Sequence, residues 1–174
     1  MGIKRVGVVG GGQMGGGVAE LTAKAGLHTV VREVTPEVAE RSRAGIQKSL
    51  DRALERGKLD EAAHGAALDN LSFTTEIGDL GDCDLVVEAV VESFDLKAEV
   101  FRALDEVVVS PDAVLATNTS SIPIIDIAMA TGRPERVIGM HFFNPAPVMK
   151  LVEVIPSVRT DPAVTDLILS LIHI

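Results

Sequence analysis

The sequence predicts an α/β fold, a doubly wound and mostly parallel sheet with helices packed on its faces. Three observations predict it. Short apolar runs alternate with longer amphipathic segments along the chain, the pattern made when each strand is followed by a helix that crosses back over the sheet. A glycine-rich turn, Gly10-Gly11-Gly12-Gln13-Met14-Gly15, follows the first apolar run and opens the first helical one. Several later apolar runs end in polar or titratable residues, and in open α/β sheets ligands bind beyond the carboxyl ends of the strands.

Taken in order, residues 3–9 form the first strand, and a helix runs from the glycine turn to about residue 25. The second strand is Thr29-Val30-Val31-Arg32. A long charged segment follows, in which residues 41–58 carry six basic side chains against two acidic ones. Ser49, Arg52 and Arg56 fall at i, i+3 and i+7 on one helical face, while Ile46, Leu50, Ala53 and Leu54 mark a buried one. A solvated face is the usual meaning of such charges. The functional alternative is a dock for an anionic ligand, and pattern alone does not choose it. Further strands are expected at residues 85–87, 114–116, 137–140 and 151–155. Ser93 is expected to cap a helix over residues 94–107, with Asp95 in its first turn and Leu96, Val100, Phe101 and Leu104 on one face. Ser121, with Pro123 two places on, reads as another helix start.

At 174 residues the chain is about one domain, long enough to bury a core without disulfides or metal. A formal charge of −9 argues against a general nucleic-acid binder, whose footprint is basic. Trp and Tyr are absent and aromatics are 3%, which removes the stacking residues of single-strand sites. The lone cysteine, Cys83, allows no internal disulfide and reads as a buried small residue in a reducing compartment. The N-terminus has no sustained apolar segment of signal-peptide or membrane-span length, so a cytoplasmic protein is expected.

The glycine turn carries the first chemistry. In G-x-G-x-x-G after a strand, Gly10 makes the tight turn, Gly12 lets backbone approach a pyrophosphate, and Gly15 lets the helix pack close to the strand. The pyrophosphate then meets a helix N-terminus. Six of the eight residues from 10 to 17 are glycine, so a merely flexible loop is the competing reading. Glu33 decides against it. It stands eighteen residues after Gly15 at the end of the second strand, where an acid binds the adenosine ribose hydroxyls of a Rossmann-type domain. Its charge would repel a 2′-phosphate, which favours NAD over NADP, although the adjacent Arg32 has a guanidinium that can turn toward such a phosphate.

The second chemistry lies at the other strand ends. Glu88-Ala89-Val90-Val91-Glu92, Thr117-Asn118-Thr119-Ser120-Ser121 and His141 each follow or end a strand and converge on one rim. Ser121 reads as a turn residue and N-cap, leaving Ser120 to face a ligand. In Leu151-Val152-Glu153-Val154-Ile155, alternation puts Leu151, Glu153 and Ile155 on one face. A carboxylate among apolar neighbours needs a partner, and His141 is suited to be one near neutral pH. Together they read as a general base and its orienter. The bland reading is a core histidine and a glutamate on the wet side of an edge strand.

Gly10 to Gly15, the Val-Val-Glu-Ala-Val-Val-Glu run at 86–92, Asn118-Thr119-Ser120-Ser121 and the segment from His141 to Glu153 together resemble the L-3-hydroxyacyl-CoA dehydrogenases, in order over residues 3–160. Short bacterial 3-hydroxybutyryl-CoA dehydrogenases are the nearest likeness. The resemblance implies a helical-hairpin insertion after the second strand and a separate C-terminal all-helical domain, absent here. It implies His141 as catalytic base, Glu153 as its partner and Ser120 as a substrate contact near the nicotinamide. Gly10, Gly11, Gly12, Gln13, Met14, Gly15, Glu33, Glu92, Lys97, Ser120 and Asn144 would line the NAD site, and Ser49 and Arg56 the coenzyme A site. The implied partners are an acyl-CoA substrate and, for the full-length protein, a second copy of itself in a homodimer; no metal, nucleic acid or membrane is expected. Related hydroxyacid or sugar-acid dehydrogenases, such as L-gulonate 3-dehydrogenase, are the competing enzyme reading. A non-catalytic NAD-binding module is a further one, but it needs neither His141 nor Glu153.

The domain expectation is an NAD-binding unit over residues 1–168, incomplete at its C-terminal end. The last six residues, Leu169-Ser170-Leu171-Ile172-His173-Ile174, resemble a translated mosaic-end adapter from transposon-based sequencing libraries and are expected to be non-native. A fragment of this kind is expected to bind NAD weakly and turn over little.

Overall fold

The computed structural model describes residues 2–172. Seven strands form one sheet: β1 (Arg5–Val9), β2 (His28–Arg32), β3 (Leu71–Thr74), β4 (Leu85–Glu88), β5 (Val114–Thr117), β6 (Val137–Phe142) and β7 (Val152–Pro156). Their spatial order is β3-β2-β1-β4-β5-β6-β7. The first six run parallel and β7 pairs antiparallel with β6. This is the doubly wound Rossmann order, with the crevice between β1 and β4 where the winding reverses.

Helices cover both faces: α1 (Gln13–Lys24), α2 (Pro36–Glu55), α3 (Glu61–Asp69), α4 (Phe94–Val107), α5 (Ile124–Ala128) and α6 (Pro162–Ile172). Strand alternation divides the core accordingly. Val6, Val8, Leu85 and Val87 pack toward the side of α1, α2 and α6. Val86 and Leu115 pack toward α4 and α5 with Phe101, Leu104 and Ile127. The expected hairpin after β2 is α2 and α3. Thr35 caps α2 by accepting the Val38 N–H at 3.3 Å, and Asp60 caps α3 by accepting from Ala63 N at 2.7 Å. His64 Nε2 lies 2.8 Å from Asp51 Oδ1 and ties the two helices together.

Several local expectations are corrected. β3 was not anticipated, because Leu71-Ser72-Phe73-Thr74 is short, half polar and only partly buried. On α4, Leu96 is exposed and Lys97 with Ala98 is buried in its place. Ser93 makes no side-chain cap. Ser121 caps nothing either: α5 begins after Pro123, and the Ser121 hydroxyl bonds Glu92 at 3.2 Å. β7 starts at Val152, so that Val152 and Val154 pack on the core while Glu153 and Ile155 face outward. Apart from these corrections, α6 spans Pro162–Ile172, and Leu171 and Ile172 pack against the core; residues 173–174 lie outside the described residues. Among the described residues no helix is long and apolar enough to cross a membrane.

Candidate active site at the carboxyl edge of the sheet

The glycine turn is built as its spacing suggests. Gly10 has φ +89°, a left-handed conformation that glycine tolerates best. A Cβ at Gly15 would lie 1.8 Å from the Gly10 carbonyl oxygen, so only glycine lets α1 start this close to β1. Gly12 differs. Nothing of the protein lies within 4 Å of a Cβ placed there, and α1 has no side-chain N-cap. The bare helix terminus therefore faces open space suited to an anion.

Glu33, 7% exposed, follows β2 directly. Its Oε1 accepts the Gly11 N–H at 2.6 Å, and the Ser42 hydroxyl lies 2.9 Å from that same oxygen and from the Gly11 carbonyl. These contacts fix the carboxylate and leave Oε2 for a ligand hydroxyl. Arg32 resolves its own ambiguity: its Nε donates to the Thr75 carbonyl at 3.3 Å, which draws the guanidinium away toward the end of β3. A cleft of about 470 Å³ runs from here, lined among others by Gly11, Gly12, Gln13, Glu33, Ser49 and Asn144. Ser42 and Arg41 also line it; neither was singled out from the sequence, since a serine or arginine on an amphipathic helix carries no local signal of what it faces.

Across the crevice, the ends of β4 and β5 hold a buried polar network. Glu88, 0% exposed, accepts from Lys97 Nζ at 2.6 Å, from Val90 N–H at 2.7 Å and from the Thr117 hydroxyl at 2.7 Å. Lys97 also reaches Glu92 Oε2 at 3.3 Å. Burial raises the pKa of Glu92, but its bond from the Thr119 hydroxyl, the Lys97 charge and the Ser120 N–H outweigh that and hold it below the usual carboxylate value.

The catalytic candidates meet on the last two strands. His141 and Glu153 are directly opposite in the β6–β7 register, and Nδ1 lies 2.7 Å from Glu153 Oε2. The carboxylate assigns the proton to Nδ1 and leaves Nε2 as the basic nitrogen. The Phe143 ring packs 4.8 Å from the imidazole, tilted by 58°. Asn118 Oδ1 accepts the Phe142 N–H at 2.9 Å and so ties the loop after β5 to β6. Ser120 is exposed on that loop.

Not every expected site residue lines that cleft. Met14 is half-buried, packs against the core and is not part of the cleft lining. Lys97 is 1% exposed, so it reaches the crevice through Glu92. Ser49 lines the cleft, but Arg56 is exposed at the C-cap of α2, away from the cleft lining.

A family model described as the NAD binding domain of 3-hydroxyacyl-CoA dehydrogenase matches residues 5–173. The chain belongs to the 3-hydroxyacyl-CoA dehydrogenase family. It is 53% identical over 161 residues to a 3-hydroxybutyryl-CoA dehydrogenase of Mycobacterium tuberculosis, covering 92% of this chain and 56% of the relative. A probable 3-hydroxybutyryl-CoA dehydrogenase of Bacillus subtilis is 44% identical, with 92% and 55% covered. The crystal structure of M. tuberculosis FadB2 superposes with a TM-score of 0.97 at 49% identity, over 99% of this chain and 60% of that one. That of 3-hydroxybutyryl-CoA dehydrogenase from Escherichia coli gives 0.96 at 40%, over 99% and 36%. The chain thus spans just over half the length of the curated relatives it matches. As an NAD-binding domain of this family it takes NAD, and its residues fit that cofactor: the open Gly12 approach, the fixed Glu33 carboxylate and the averted Arg32 suit a pyrophosphate and an unphosphorylated ribose.

Proposed function

We propose that the whole protein oxidises an L-3-hydroxyacyl-CoA to the 3-oxoacyl-CoA, with 3-hydroxybutyryl-CoA the favoured substrate. The observation that carries this reading is the 2.7 Å bond between His141 Nδ1 and Glu153, made on the exposed rim beside a dinucleotide crevice. NAD, when bound, supplies the acceptor for the hydride from C3. His141 Nε2 takes the hydroxyl proton as the C3–H bond breaks, and the C–O bond becomes a carbonyl. Glu153 holds the ring in the required tautomer and stabilises the imidazolium that forms. The Ser120 hydroxyl, exposed on the loop after β5, binds the reacting oxygen. Ser49 and the basic face of α2 with Arg52 and Arg56 offer an anion site for the phosphates of coenzyme A. Homodimerisation and a cytoplasmic location belong to the same reading of the whole protein.

The test has two parts. The 174-residue chain should bind NAD+ in calorimetry. A version at the full length of the relatives should oxidise 3-hydroxybutyryl-CoA and leave the free 3-hydroxy acid untouched. Equal turnover of free acid and thioester would defeat the substrate assignment. Light scattering on the full-length version should give the mass of two copies.

A further inference from the structure

Glu88 ends β4 without exposed surface, and its bonds lead step by step to the ligand rim. One carboxylate oxygen accepts from Lys97 and from the Val90 N–H; the other accepts from Thr117, which ends β5. Lys97 passes the contact to Glu92 Oε2 at 3.3 Å. Glu92 Oε1 then gathers donors from three consecutive residues of the loop after β5. These are the Thr119 hydroxyl, the Ser120 N–H at 3.1 Å, and the Ser121 N–H and hydroxyl at 3.3 and 3.2 Å. The loop is thus pinned from one side by a single carboxylate whose own direction is set by a buried lysine.

Stability does not require such a chain. A buried ion pair is often matched or bettered by apolar residues of the same volume, and the surrounding core of Val100, Phe101 and Leu115 is apolar. Apolar residues at 88 and 97 would remove the lysine contact that holds Glu92 Oε2 and leave only the loop's own donors on Oε1. Position completes the case. With Glu33 on the β2 side holding the adenosine half, the second nucleotide of a doubly wound fold lies over the ends of β4 and β5, where this network surfaces.

We propose that Glu88 is a positioning residue for the nicotinamide half of the cofactor: acting through Lys97 and Glu92, it holds the Thr119–Ser121 loop so that Ser120 faces the crevice. The inference rests on NAD occupying that crevice. It also gives Lys97 the role of a bridge between two carboxylates.

The experiment compares NAD+ with AMP, which carries only the adenosine half, by titration calorimetry on the 174-residue chain. Glu88→Gln should lower NAD+ affinity about fivefold or more, the equivalent of one lost hydrogen bond, with AMP affinity unchanged. The amides of Ser120 and Ser121 should exchange faster with solvent. Glu92→Gln, which keeps an acceptor oxygen, should retain more NAD+ affinity than Glu92→Ala. Equal losses for NAD+ and AMP would mean a general structural effect and would overturn the inference, as would an unchanged NAD+ affinity. Where Glu88→Gln fails to fold by circular dichroism, Thr117→Val, which removes one donor to Glu88 and keeps the side-chain shape, is read by the same criteria. A wild-type chain that binds AMP but not NAD+ overturns the cofactor reading and the inference together, and is recognisable before any variant is made.

Discussion

The chain holds two carboxylate–base pairs at the carboxyl edge of one sheet, and they are built in opposite ways. Glu88–Lys97 is sealed, with side chains 0% and 1% exposed. Its partners extend to backbone and hydroxyl groups, so that every charge is answered. His141–Glu153 sits at 22% and 50% exposure, with one bond between the partners and the second imidazole nitrogen open. The difference suits the two tasks proposed for them. A group that moves a proton must meet substrate and change its charge cheaply, whereas a group that holds a loop must resist such change. Burial makes the first expensive and the second secure.

The largest effect that tests this contrast is on chemistry. His141→Gln in the full-length version should lower kcat about a thousandfold, with NAD+ affinity largely intact; kcat near wild type would remove the proton-transfer role. Next is stability. Lys97→Met leaves Glu88 buried without its cation and should cost about 3–5 kcal/mol of folding free energy, while Glu153→Ala, breaking the exposed pair, should cost under about 1 kcal/mol. Urea denaturation of the two variants measures both, and similar costs would erase the distinction between the pairs.

A smaller effect concerns acid. Because Glu92 is held below its usual carboxylate value in the folded state, the folded chain binds that proton more weakly than the unfolded one. Its contribution is present above the ordinary value of 4.5 and is lost as pH falls through the lowered one. The melting-temperature gap between wild type and Glu92→Gln should therefore narrow from about pH 6 to about pH 3. A gap that widens would reverse the sign. The smallest expected effect is none at all: burial pushes the Cys83 thiol up to about 11, so iodoacetamide at neutral pH should label it only after unfolding.

The regions also differ in how much the sequence disclosed. On the adenosine side, the glycine spacing is local to the turn it builds, and Glu33, at the end of the next strand, bonds that turn at Gly11. On the other side, His141 and Glu153 were legible as a pair, but the reason offered for Glu153 was an apolar face. The structure gives another: it lies outward on β7, paired across the strands with His141. Glu88 and Lys97 passed as part of a run and as a site-lining residue, because nothing local distinguishes a lysine that is sealed from one that is solvated. Ser121 was read as a helix cap because its proximity to Pro123 is visible in the sequence, while its bond to Glu92 spans 29 residues.

By itself, the sequence determined the alternation of strands and helices and the phosphate turn, since these depend on periodicity and on spacing within a turn. Tertiary structure alone decided which carboxylate became buried, that Arg32 turns from the cleft, and that β7 reverses to set Glu153 opposite His141. Those outcomes depend on sheet register and on which helix covers which strand, which bring together residues that are remote along the chain and share no local pattern.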